Sequence, residues 1–314
     1  MNAVNTAAKP KQGFVTEFSA CWQALPNKFF FFALLAAWLA LFQFLGNSTF
    51  GYADTASLPA WMLNAYNAPT SDDGHGNLIP FVVVALFWWK REKLLATRMA
   101  LWPPALGLVA VALGLHLLGY VVQQPRISIV AMFAGIYGLM GLAWGREWLR
   151  ESFFPFALLA FCVPLGSLAQ NITFPLRMLA TVISVGVSHL LGIDVIRDGT
   201  QIFDPQRDFD YDVAPACSGI RSLIALVAMT VIYGQIYFRG WGKRLGLVAA
   251  AFPLAVGGNV FRLTLIIVTA ESFGVEAGNF VHENAVMSLV PYVPAVGGLL
   301  LLARWWRERG GPTP

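Results

Sequence analysis

The chain has 314 residues, 57% of them hydrophobic and only 12% charged, with a formal net charge of +4 and a mean hydropathy of +0.62. A soluble domain carries about twice that charged fraction, so a water-soluble globular protein is excluded, and no stretch between the apolar runs is long enough to form a separate one. The basic excess would suggest an acidic partner in a soluble protein; here it is read loop by loop, because lysine and arginine set orientation in a bilayer, and nothing points to nucleic acid.

Crossing a hydrocarbon core of about 30 Å takes roughly 20 apolar residues, or fewer with snorkelling ends. Such runs are expected near 29–45, 78–89, 101–122, 127–144, 153–169, 218–238, 246–270 and 285–303. The fold class is therefore an all-α polytopic membrane protein with about eight transmembrane helices. A single membrane domain, 29–303, lies between an amino-terminal tail, 1–28, and a carboxy-terminal tail, 304–314. The first run lacks a small-residue cleavage site and is followed by many more, so it reads as a signal anchor. The second, Leu78 to Trp89, is short, and Trp88-Trp89 with Lys90-Arg91-Glu92-Lys93 reads as its interfacial anchor.

Charge counting orients these spans. The amino-terminal tail holds three lysines and arginines, 90–98 four, 145–151 two, 239–244 three and 304–309 three, so fifteen fall on one side. The opposite loops hold Arg126, Arg177, Arg197 and Arg207, and Arg221 and Arg262 lie within spans. The positive-inside rule then places both termini in the cytoplasm.

Two substantial outer loops follow from this topology, 46–77 and 170–217. In the second, Pro175 to Leu191 reads as an amphipathic or interfacial helix ending at Gly192. Ile193 to Ile202 alternates around the turn dipeptide Asp198-Gly199, and Phe209, Tyr211 and Val213 alternate with aspartates. A small extracytoplasmic β-element before the sixth span is expected. Its aspartates are explained by a solvated edge or by attraction for a basic segment.

Cys21, Cys162 and Cys217 are scattered, with no metal-ligand spacing, so neither a metal nor another cofactor is expected. Cys217 opens the sixth span in Pro215-Ala216-Cys217-Ser218-Gly219-Ile220-Arg221, where a helix amino terminus favours a thiolate. A packing role is the plainer reading of an isolated membrane cysteine. Arg262 lies inside a span, where charge is costly; near the outer end it has snorkelling to water as its bland reading. His282 precedes the last span on the same face, whereas His75, His116 and His189 are explained by solvation or local hydrogen bonds. Together, Cys217, Arg262 and His282 supply a thiol nucleophile, a fixed cation and a base, the groups that acyl transfer needs. Arg221, four residues after Cys217, is a supporting cation; Asn259, three before Arg262, is placed to orient it by a hydrogen bond; Ser218 neighbours the thiol.

On Ala216-Cys217-Ser218-Gly219-Ile220-Arg221-Ser222-Leu223, on Asn259-Val260-Phe261-Arg262 and on His282, the chain resembles the exosortase/archaeosortase family of membrane transpeptidases. The resemblance implies Cys217, Arg262 and His282 as catalytic residues. It also implies a bacterial inner-membrane location with the site on the periplasmic face. The implied substrate is a carboxy-terminal sorting signal on exported proteins: a short motif, a transmembrane helix and a basic tail. Cleavage would pass the new carboxyl end to an acceptor nucleophile, often in bacteria that make exopolysaccharide. After His282 this chain runs Glu283-Asn284-Ala285-Val286-Met287, where family members commonly have a small residue or glycine. The competing class is a non-enzymatic transporter or scaffold for exopolysaccharide export, against which stand the absence of an inverted repeat and of an acidic residue within a span.

Overall fold

The computed structural model describes residues 13–49, 55–68, 71–165, 167–205, 210–212, 220–284, 290 and 292–306, and most of them are helical. Two compact units divide the chain, Met1–Met62 with Ile79–Val163 and Leu63–Leu78 with Pro164–Pro314.

The first unit contains α1 (Phe14–Ala24), α2 (Lys28–Leu45), the start of α3 (Leu58–Asn67), α4 (Ile79–Trp89), α5 (Arg91–Leu95), α6 (Leu106–Val121), α7 (Pro125–Trp144) and α8 (Arg146–Ala157). Its centre is α7, most of whose residues are buried. Between helices in lipid there is little hydrophobic drive, so small residues that admit close packing matter most. Gly135 is the clearest case: a Cβ there would lie 1.9 Å from Cζ2 of Trp38 on α2. The indole then donates its N–H to the Met132 carbonyl at 3.0 Å. Buried His116 is held in the same way by Ser128, Nδ1 to Oγ 3.0 Å, as expected of a histidine with a local partner.

The second unit contains α9 (Ser167–Leu190), the strands β1 (Ile196–Asp198), β2 (Gln201–Phe203) and β3 (Asp210–Asp212), then α10 (Ile220–Tyr237), α11 (Trp241–Phe273), α12 (Val275–Glu283) and α13 (Tyr292–Trp305). The expected β-element is present as an antiparallel sheet in the order β1-β2-β3. Asp198 pairs with Gln201 across a turn in which Gly199 has φ +59°, and Ile202 pairs with Tyr211. It is more than a solvated edge, because Ile202 and Val195 are buried against Ala180 of α9 and Leu263, Ile266, Ile267 and Ala270 of α11.

Among the described residues four helices are long and apolar enough to cross a membrane: Lys28–Leu45, Pro103–Val121, Pro125–Trp144 and Trp241–Phe273. Four shorter apolar helices join them, Ile79–Trp89, Phe174–Leu190, Leu223–Tyr237 and Tyr292–Trp305. The expected span at 153–169 is corrected. Its chain leaves α8 at Ala157, passes through a 3₁₀ turn over Leu158–Cys162 and becomes extended at Val163. Pro164 explains the break, since the residue before a proline is driven from the α region. An apolar helix forms instead just beyond, in the segment expected to be an external amphipathic helix.

Candidate active site

The site is built on α11, 33 residues long and about 50 Å from end to end, more than a hydrocarbon core requires. It begins at Trp241, five residues before the expected start of that span. At its far end Gly274 adopts φ +92°, ψ 164°, a conformation essentially reserved for glycine. The chain turns there into α12, and Val275 and Val281 pack against the Leu263–Ala270 stretch of α11. This fold-back brings the residue at 282 to the residue at 262 without a long connection.

Arg262 is only 6% exposed, and its Nη2 donates to the His282 backbone carbonyl at 3.3 Å. Burial overturns the snorkelling reading: the guanidinium is enclosed within its own unit. His282 itself is half-buried. Two of the three residues expected to act together are therefore adjacent, through the main chain of one and the side chain of the other. A guanidinium held in a poorly solvated site keeps most of its electrostatic strength and needs no reorganisation to meet developing negative charge.

Asn259 is buried at 3% exposure, one turn from Arg262. The expected hydrogen bond between them is not made. Arginine only donates, so the bond would need the Asn259 Oδ1, and that atom has no hydrogen-bond partner among the described residues. Arg262 instead reaches across to α12. Cys217 and Ser218 lie outside the described residues, and Arg221, in the first turn of α10, is described by its backbone alone. The described part of α10 runs antiparallel to α11, with Gly234 against Arg244, so the Ile220 end of α10 points along α11 towards Arg262. Cys162 is buried and Cys21 half-buried in the first unit. His189 donates to the Val195 carbonyl at 2.9 Å, the local role expected for it.

The feature that sequence reasoning missed is the polar face of α9. Arg177, Thr181, Ser184 and Ser188 recur at helical spacing and are 7%, 0%, 0% and 0% exposed, while Phe174, Leu179, Val182 and Leu190 on the same helix are exposed. An amphipathic helix in water shows the opposite arrangement. Thr181 and Ser188 donate to carbonyls one turn back, at 2.9 and 3.0 Å, and Ser184 Oγ donates to the Val260 carbonyl of α11 at 3.5 Å. The spacing of these four residues within an apolar helix was visible in the sequence. Which face turned inward was not.

A family model described as Transmembrane exosortase matches residues 67–295, well over half of the chain and including every residue of the candidate site. No curated protein and no solved structure matches the chain.

Proposed function

The chain belongs to the transmembrane exosortase family, and from that premise we propose that it is a membrane-embedded cysteine transpeptidase acting on the carboxy-terminal sorting signal of exported proteins. The observation that carries the reading is the buried Arg262 guanidinium bonded to the His282 main chain.

In the proposed mechanism the Cys217 thiol gives its proton to His282, and the thiolate attacks the scissile carbonyl. Arg262 stabilises the oxyanion of the tetrahedral intermediate. Collapse breaks the C–N bond, His282 returns the proton to the leaving amine, and a thioester remains on Cys217. An acceptor nucleophile then attacks the thioester and restores the thiol. Ser218 and Arg221 flank the nucleophile in this scheme, with Arg221 favouring the thiolate. No metal or other cofactor is called for. The enzyme is placed in the bacterial inner membrane, with this chemistry on the periplasmic face.

The deciding experiment co-expresses the chain with a tagged exported protein that ends in a hydrophobic helix and a basic tail. Processing is expected with the unaltered chain and is expected to be lost in Cys217→Ala, Arg262→Ala and His282→Ala. Normal processing by Cys217→Ala would sink the reading.

A further inference from the structure

Arg177 carries a charge into the second unit that the mechanism above does not use. It is 7% exposed, its Nε is buried, and no hydrogen-bond or ion-pair partner for its guanidinium exists among the described residues. Its one side-chain contact of note is the Phe174 ring, 5.8 Å from Cζ to centroid. A cation–π contact with a half-exposed ring does not replace the hydration of a buried guanidinium, whereas an anion in bidentate contact does.

Position narrows what that anion is. Arg177 shares a face with Ser184, which bonds to the Val260 carbonyl between Asn259 and Arg262 on α11. Seven residues of helix separate Arg177 from Ser184, about 10 Å, and an extended peptide covers that span in roughly three residues. Along the same seam Asn259 presents the buried, unpartnered Oδ1, an acceptor suited to a peptide N–H. A buried donor on α9 and a buried acceptor on α11, the helix to which Ser184 ties α9, suit a short extended peptide bearing a carboxylate. A free small anion would leave the Asn259 acceptor unused.

We propose that Arg177 is a specificity-determining residue that binds an acidic side chain of the substrate segment, three or four residues from the bond cleaved beside Arg262, with Asn259 accepting a main-chain N–H of the same segment. The proposal rests on the transpeptidase reading for the identity of the substrate, but binding through Arg177 does not require turnover.

Capture in membranes therefore tests it. The full chain carrying Cys217→Ala is co-expressed with the tagged exported protein, and the tagged protein retained on the chain after detergent extraction is measured. Adding Arg177→Gln is expected to weaken capture at least about tenfold, the scale of one charge-assisted contact, while Arg177→Lys, which keeps the charge and loses the planar fork, retains only part of it. Replacing the acidic residues near the cleaved bond by their amides is expected to weaken capture by the unaltered Arg177 equally, and Arg177→Gln then adds no further loss. Undiminished capture by Arg177→Gln overturns the proposal, as does a full additional loss on the amide substrate. If Arg177→Gln fails to accumulate, the amide substrates alone decide, and their undiminished capture overturns it. Recovery of an Arg177→Gln defect by Asp208→Asn, Asp210→Asn or Asp212→Asn would reveal an internal ion pair and also overturn it. Processing by Cys217→Ala would sink the enzyme reading and leave the capture result standing, so the two failures are distinguishable.

Discussion

The two units of this chain spend their buried polar groups differently. In the first, such groups serve packing: the Trp38 indole meets a carbonyl over Gly135, and His116 is held by Ser128. Both have a local partner, whereas Ser48 Oγ and Trp148 Nε1 have none among the described residues, and the glycines allow the helices to approach. In the second unit the buried polar groups include Arg177, Asn259 and Arg262, of which Arg177 Nε and Asn259 Oδ1 have no partner among the described residues. Burying polarity without a partner costs free energy, most of all for a charge, and the buried Arg177 guanidinium is what sets the second unit apart.

Five substitutions and one chemical probe test that division, beginning with the largest expected effect. Cys217→Ala should reduce processing on the order of 10³-fold or more with unchanged membrane levels, read from the ratio of cleaved to intact tagged substrate. Arg262→Ala should cost about 10²- to 10³-fold, the range for loss of an oxyanion donor, and Arg262→Lys should restore only part, since an ammonium cannot reproduce the planar fork that reaches the His282 carbonyl. If either change lowers protein abundance more than specific processing, the second unit is merely structural and the comparison fails.

The converse substitution is Gly135→Leu, which drives a side chain into Trp38. It should destabilise by about 1–3 kcal/mol or more, seen as a lower unfolding temperature in detergent, with specific processing per folded molecule preserved. A polar, membrane-impermeant thiol reagent applied from outside should modify Cys217 faster as pH rises, and leave buried Cys162 unmodified in the folded protein. Inertness of Cys217 would favour the transporter or scaffold class.

The smallest effect is expected at the Lys90–Glu151 pair, 3.6 Å apart in the first unit. Burial pulls the Lys90 ammonium below its ordinary 10.5, an effect that Glu151 opposes and Lys93 reinforces. A base depressed by folding is penalised at all lower pH, so stability should rise as pH climbs from the depressed value towards 10.5. Glu151→Gln should deepen the depression and lower stability by no more than about 1 kcal/mol, measured by thermal unfolding across that alkaline window.

Much of the fold was legible because hydropathy is a local property. The helices at 28–45, 103–121, 125–144 and 241–273 coincide with apolar runs, and the hairpin follows from Asp198-Gly199 between alternating residues. The run at 153–169 misled because composition does not record that Pro164 sets the backbone of Val163. Arg177 was counted with the basic residues of an outer loop because charge counting assigns a residue to a segment and cannot say whether it is enclosed. The pairing of Arg262 with Asn259 was a spacing argument, and spacing on one helix could not foresee a better acceptor on α12.

What the sequence determined by itself was the solvent of this protein, its helical class and, through the Cys217, Arg262 and His282 motifs, the family to which it belongs. Apolar length and short motifs are carried by neighbouring residues and survive without knowledge of the fold. Only the tertiary structure decided that Gly274 returns His282 to Arg262 and that α9 turns its polar face inward to α11. These are contacts between residues far apart in the chain, and their free energy depends on which faces exclude water together.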